Sequence, residues 1–140
     1  GSGIHTLDHI GNADLMAQFD LDPSRQMIGA QCSGAMFLHK LGLLPAIATT
    51  DSKTRPYLAR TNTVLEDRPL VAQGNIVTSG GCLSSQYLAG WVLARKLGID
   101  KALAILEYVA PVGQKSLFGK QARDVITPQL DVPAKRALYC

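Results

Sequence analysis

Apolar positions along this chain fall into short blocks separated by glycine, proline and small polar residues. Met27-Ile28-Gly29-Ala30 is a continuous apolar run set off by Asp22-Pro23-Ser24, and it predicts a short buried strand over 27–30. After Gln31-Cys32-Ser33-Gly34 the spacing becomes helical. Ala35, Met36, Phe37, Leu38 and Leu41 predict a helix over 35–41, closed by Gly42, with Pro45 preventing its continuation. Ala46-Ile47-Ala48-Thr49-Thr50 predicts a second buried strand. Strand, helix and strand in this order predict a right-handed crossover and a parallel pair. Upstream, Asn12 is placed to cap a helix over 13–19 with Asp14 in its first turn.

Residues 51–60, with Pro56 among them, predict a polar loop or a short helical turn. Short strands follow over 63–65 and 70–72, and Gln73-Gly74-Asn75 turns the chain into a strand over 76–78, a hairpin pattern. Gly80-Gly81 predicts a tight bend before the strongest helix, over 84–97. Its Leu88, Trp91 and Val92 share a face, with Ser84 or Ser85 as cap, Gly98 as the closing residue and Trp91 in the core. Asp100 is placed to cap a further helix over 101–108, ahead of Pro111. Residues 111–140, with Pro128 and Pro133, show the weakest pattern, and there is no internal repeat.

With 140 residues and 46% apolar composition, the chain is sized for one domain, 1–140, with a real core. The net charge is +3 and its 14 basic residues are scattered. Without a basic stripe, nucleic acid is not an expected partner. Apolar stretches fall well short of the ~20 residues a membrane span needs. With no charged-then-apolar leader before them in this sequence, a cytosolic soluble protein is expected. Three cysteines (Cys32, Cys82, Cys140), none in a C-x-x-C pair, argue against a disulfide framework or zinc ribbon and fit a reducing, cytoplasmic setting. No metal-ligand spacing and no lysine-bearing phosphate loop occurs, so cofactor-free and metal-free chemistry on a small molecule is expected.

The candidate chemistry centres on Cys32. A small-residue turn from strand to helix lifts a sulfur out of the core, and the helix N-terminus favours the thiolate. Backbone N–H groups after the turn can stabilise a developing oxyanion. The competing reading is a buried structural cysteine. Asp51 has three open roles: orienting water, contacting substrate, or capping the turn that follows. Thr50 is either a substrate contact or simply a good strand former. His39, two turns beyond Cys32, complements the helix C-terminus. Cys82, after Gly80-Gly81, is placed either to approach the site or a dimer contact or, as the expected reading, to be an inert packed thiol.

Placed in order, these blocks resemble the ThiJ/PfpI superfamily. Ala30-Gln31-Cys32-Ser33-Gly34-Ala35 is similar to its A-x-C-x-G-A turn. Asp67, then Gln73-Gly74-Asn75-Ile76-Val77-Thr78-Ser79-Gly80-Gly81, is similar to its D-G-N-(L/I)-(V/I)-T-(S/G)-x-G strand and bend. A helix over 83–97 ends in Leu97-Gly98, and Leu106-Glu107-Tyr108 resembles an L-E-Y segment of isonitrile-hydratase-like members. The resemblance covers roughly residues 1–115 and implies a doubly wound α/β fold. Its sheet would be mainly parallel with helices on both faces, as in flavodoxin-like and class I glutamine amidotransferase-like proteins.

In such sheets the site lies beyond the carboxyl ends of the strands, so Cys32, Thr49-Thr50-Asp51 and the Gly1-Ser2-Gly3 loop are expected on one rim. The resemblance gives the oxyanion N–H groups to Gly1, or Ser2, and Ser33. His5, in the glycine loop, is a candidate for reaching the rim and is otherwise a solvated loop residue. Relatives begin with strands and a helix carrying an acidic partner for the cysteine. Roughly 60–70 residues of that pattern are absent here, about a βαβ unit plus a strand. A separate N-terminal segment completing the sheet, or a longer chain, is therefore expected.

The histidine many relatives place after the second strand is also absent, since Thr49-Thr50-Asp51 stands there, which weakens a Cys-His protease reading. The function implied is a Cys32-dependent isonitrile hydratase. The alternatives are a glyoxalase- or deglycase-like enzyme, and a non-enzymatic oxidation sensor or chaperone. A ligand-binding module joined to a DNA-binding domain finds no helix-turn-helix pattern in 111–140. Homodimerisation is common among the relatives and is expected here.

Overall fold

The computed structural model describes residues 2–133. The Met27 run forms strand β1 (Ile28–Gln31), and the helical spacing after Cys32 forms α3 (Gly34–Lys40), following α1 (Thr6–Gly11) and α2 (Ala13–Met16). Asn12 caps α2 by accepting the Leu15 N–H at 3.0 Å. Downstream come β2 (Ile47–Ala48), α4 (Arg55–Leu58), β3 (Val64–Leu65), β4 (Leu70–Gln73) and β5 (Ile76–Ser79). Three longer helices complete the fold: α5 (Ser85–Leu97), α6 (Ile99–Val109) and α7 (Lys115–Ile126).

Strand periodicity puts helices on both faces of the sheet. Ile28 and Ala30 of β1, with Ile76 of β5, pack against Leu38 of α3. The opposite-facing Val77, with Leu70 and Ala72 of β4, packs against Trp91, Leu103, Leu106, Ala122 and Ile126 of the other three helices. Gly29 lies on this second face, where an added Cβ would come within 3.0 Å of Leu88. Gly90 lets α6 and α7 close on α5, since a Cβ there would meet Leu106 and Ile126 methyls at 2.7 and 2.6 Å. Trp91 is fully buried, and its indole N–H donates to the Gln129 carbonyl at 2.8 Å.

The three-stranded sheet runs β1-β5-β4, with β1 parallel and β4 antiparallel to β5. Its hairpin turns on Gly74, at φ +60°, as the first of two loop residues. The expected parallel pairing of the first two strands does not form. β5 takes the place beside β1, and β2 pairs in parallel with β3 instead. The reason is chemical. The Ile47 and Thr49 N–H groups of the β2 segment donate to the buried side chains Gln73 Oε1 and Thr78 Oγ1, at 3.1 and 2.9 Å. Side chains of the hairpin thus hold β2 where a backbone ladder was expected.

Four further expectations need correction. Residues 3–11 are helical, a 3-10 turn running into α1, where an open glycine loop was expected. Asp100 lies inside the first turn of α6, whose cap is Gly98 at φ +88°, and its carboxylate pairs with Arg123 at 3.1 Å. Ser84 donates its hydroxyl to the Gly80 and Gly81 carbonyls and makes no helix-capping bond. Finally, α7 occupies a region whose pattern predicted no element. Its Phe118, Ala122, Val125 and Ile126 are helically spaced, but the interior Gly119 and six polar residues dilute the signal. Among the described residues, no helix is long and apolar enough to cross a membrane. No three His, Cys, Asp or Glu side chains among them are grouped to hold a metal ion.

Candidate active site

The C-terminal ends of β1, β2 and β5 open onto one rim. There a cavity of about 770 Å³ is bounded by the first turn of the N-terminal helix, the Cys32 elbow, the turn after β2 and the glycine bend. Cys32 sits at the mouth of the elbow with φ +51°, the one non-glycine residue in the left-handed region among those described. That conformation costs an ordinary residue about 1–3 kcal/mol and persists only where its surroundings impose it. Here three bonds impose it. The Cys32 N–H donates to Ser79 O at 2.8 Å, and its carbonyl accepts from the Thr50 hydroxyl at 2.9 Å and the Ala35 N–H at 3.1 Å.

The elbow and the N-terminal segment are stapled through Ser33. Its buried hydroxyl oxygen accepts from Thr6 Oγ1 at 2.8 Å and from the Gly3 N–H at 3.1 Å. This brings Gly3, Ile4 and Leu7 over the cavity, facing Met36 and Tyr57. These apolar side chains were not anticipated as site residues. The i, i+3 spacing of Ile4 and Leu7 was the available signal, but their place over Cys32 depends on a contact spanning nearly thirty residues.

Cys32 is half-buried, and burial pushes its thiol above the ordinary value. The Gly81 N–H, donating to the sulfur, opposes this, while the nearby Asp51 charge and the Cys82 thiol reinforce it. The thiolate favoured by the sequence is therefore not the resting form: a seven-residue helix does not offset desolvation. Asp51 lines the cavity. Burial would raise its carboxyl, but the Thr54 hydroxyl at 2.6 Å and the N–H groups of Thr54 and Lys53 outweigh it and hold the group below the usual carboxylate range. It caps the turn into α4 and is ionised beside the sulfur.

The remaining candidates are placed as follows. Ser33 lines the cavity at the start of α3. Thr50 is buried and spends its hydroxyl on the Cys32 carbonyl, outside the cavity lining. His5 is exposed, 3.5 Å from Asp8, and does not reach the cavity. Gly1 lies outside the described residues, as does Cys140. His39 is exposed at the end of α3. Cys82 is exposed, not packed as expected, and lines the same cavity as Cys32, the alternative placement, because the bend carries it to the rim. The Leu106-Glu107-Tyr108 segment contributes nothing to the cavity. Leu106 is core, Glu107 lies against Gly119 of α7, and Tyr108 is exposed beside Lys115.

No protein-family model matches the sequence. No curated protein matches it either. Among solved structures, DJ-1 of Schizosaccharomyces pombe is similar, with 21% identity and a TM-score of 0.50 over 86% of this chain and 58% of that one. A ThiJ/PfpI family protein from Pseudomonas syringae is similar at 18% identity and a TM-score of 0.61, over 89% of this chain and 59% of that one. The chain thus spans less than two thirds of the length of either. At these identities the likeness establishes the fold: this chain has the α/β architecture of DJ-1 and of ThiJ/PfpI proteins, a mixed sheet flanked by helices on both faces.

Proposed function

We propose that this chain belongs to the ThiJ/PfpI superfamily and is an enzyme that uses Cys32 as a nucleophile on a small molecule, with hydration of an isonitrile to an N-substituted formamide as its reaction. The observation that carries the reading is the elbow. A cysteine held by three hydrogen bonds at φ +51° over a cavity has been positioned at an energetic cost, and core packing requires no such conformation. The resting state of the thiol favours the isonitrile. Its terminal carbon must receive both a proton and a nucleophile, and a protonated Cys32 carries the two together.

In this reading the S–H bond breaks, its proton goes to the isonitrile carbon and the sulfur bonds to the same carbon, giving an S-linked thioimidate. Water oriented by the ionised Asp51 adds to that carbon, one of its protons passing to nitrogen. The C–S bond then breaks, the hydroxyl proton returns to sulfur, and formamide and free thiol are released. Gly81 and Ser33 N–H groups steady negative charge on sulfur and on the hydrating oxygen. Ile4, Leu7, Met36 and Tyr57 receive the apolar substituent of the substrate. The proposal also places a further strand, from a longer chain or a separate segment, along β1, which ends the described sheet; it would carry the additional acid implied by the family resemblance.

The test is incubation with simple aliphatic isonitriles and detection of the formamide by NMR. Turnover lost in Cys32→Ser, with an adduct of one isonitrile mass trapped on Cys32 of the native protein, supports the proposal. Formamide production unchanged in Cys32→Ser, or absent from the native protein across a chain-length series, sinks it.

A further inference from the structure

We propose that Cys32 and Cys82 are a redox pair that closes into a reversible disulfide across the cavity when the protein meets a hydroperoxide. The two sulfurs come from elements already locked together. Cys32 ends β1 and Cys82 follows β5, the strands paired in register up to Gln31 and Ser79. The Gln31 side-chain amide donates to the carbonyls of Gly81 and Cys82, at 3.1 and 2.9 Å, so the residue before one cysteine holds the backbone of the other. Both cysteines line one cavity, and the Cys82 thiol lies near enough to the Cys32 sulfur to help raise its pKa. Cys82 stands after two glycines, with Gly81 at φ +85°, and with both backbones held, an S–S bond of about 2.0 Å forms by rotation of the two cysteine side chains towards each other.

The chemistry balances with a hydroperoxide, ROOH, as oxidant. The exposed Cys82 meets it first. Its sulfur, as thiolate, attacks the terminal peroxide oxygen: the S–O bond forms, the O–O bond breaks, and RO⁻ leaves and takes up a proton as ROH. The Cys32 sulfur then attacks the Cys82 sulfenic acid. The S–S bond forms, the S–O bond breaks, and the hydroxide leaves with the Cys32 proton as water. Two thiols have lost two electrons to the peroxide, and an external dithiol restores them by exchange. While the disulfide stands, Cys32 can neither add to a substrate nor be driven on to the sulfinic acid. This inference does not rest on the isonitrile reading, since it requires only the geometry of the two sulfurs.

The test treats the full chain with a few equivalents of hydrogen peroxide, blocks free thiols with N-ethylmaleimide and maps peptides without reduction. The expected product is a Cys32–Cys82 cross-linked peptide, lighter by two hydrogens than its parts, retained in Cys140→Ser and reversed by dithiothreitol. In Cys82→Ser the cross-link is lost, and any Cys32 that the same dose oxidises should run on to sulfinic acid, heavier by two oxygens, instead of stopping at a disulfide. Three results overturn the proposal: Cys32 sulfinate forming as fast in the native protein as in Cys82→Ser, Cys82 pairing with Cys140 while Cys32 stays free, or no disulfide at all. None of them bears on isonitrile turnover, which is read separately.

Discussion

Gly80→Ala tests whether the glycine bend sets the geometry of the elbow. A Cβ at residue 80 would lie 2.5 Å from the Thr50 carbonyl oxygen, 2.9 Å from its carbon and 3.1 Å from Thr49 Oγ1. Reaching even 3.0 Å from that oxygen needs a shift of about 0.5 Å, and the nearest atoms are backbone, which no rotamer change can clear. Overpacking of this kind costs roughly 1–3 kcal/mol. The displacement also has an address: Thr50 holds the Cys32 carbonyl at 2.9 Å, so moving it loosens the left-handed conformation. Urea unfolding followed through the buried Trp91 should show the loss of stability, and the rate of Cys32 alkylation at fixed pH should change with it. Gly11→Ala is the control, because a Cβ there meets nothing within 4 Å; it should be neutral or stabilising by up to about 1 kcal/mol. A Gly80→Ala protein with native stability and native alkylation would refute the argument.

Two further expectations follow from the same site. Thr6→Val and Ser33→Ala each remove the 2.8 Å hydroxyl pair that holds the N-terminal helix over the cavity, and each should cost about 1–2 kcal/mol. The double variant should lose less than the sum by about 0.5–1.5 kcal/mol, and strict additivity in a urea double-mutant cycle would show the staple to be energetically idle. For Cys32, the folded thiol is raised above its unfolded value, so the thiolate is scarce near neutral pH and appears only as pH climbs past the ordinary thiol range. Iodoacetamide labelling of Cys32 should accordingly keep accelerating beyond about pH 9, and Asp51→Asn should move the curve to lower pH by removing a facing negative charge. A labelling rate that levels off below pH 8 would reverse the sign of this reasoning.

Local chemistry made much of the fold legible. The apolar run before Cys32 and the helical spacing after it gave β1 and α3 to within a residue at most boundaries, because both signals are contained in a dozen residues. The Gly74-Asn75 turn, the core position of Trp91 and the cap at Asn12 were legible on the same ground. Pairing was not. Which strand lies beside β1 is decided by buried Gln73 and Thr78, whose side chains satisfy β2 from 26 and 29 residues away. Nothing in the spacing of β2 records that. The helix α7 was hidden differently, since its stripe of Phe118, Ala122, Val125 and Ile126 is interrupted by Gly119, which is there to admit Glu107 of α6.

The site divides along the same line. A turn of small residues between strand and helix predicts where the Cys32 sulfur will be, although the bonds that hold its φ come from Ser79 and Thr50. What that sulfur does depends on groups brought from 19, 49 and 50 residues away, Asp51, Gly81 and Cys82, with burial added. Burial and the two facing groups outweigh the single N–H, leaving a positioned thiol that keeps its proton. Such a group is poorly suited to attack by a pre-formed thiolate. It is well suited to addition in which sulfur and proton reach the same carbon, and to oxidation in which an exposed neighbour reacts first. The addition therefore depends on both the position of the Cys32 sulfur and its proton, whereas the disulfide depends on position alone, and both are set by groups far away in the sequence.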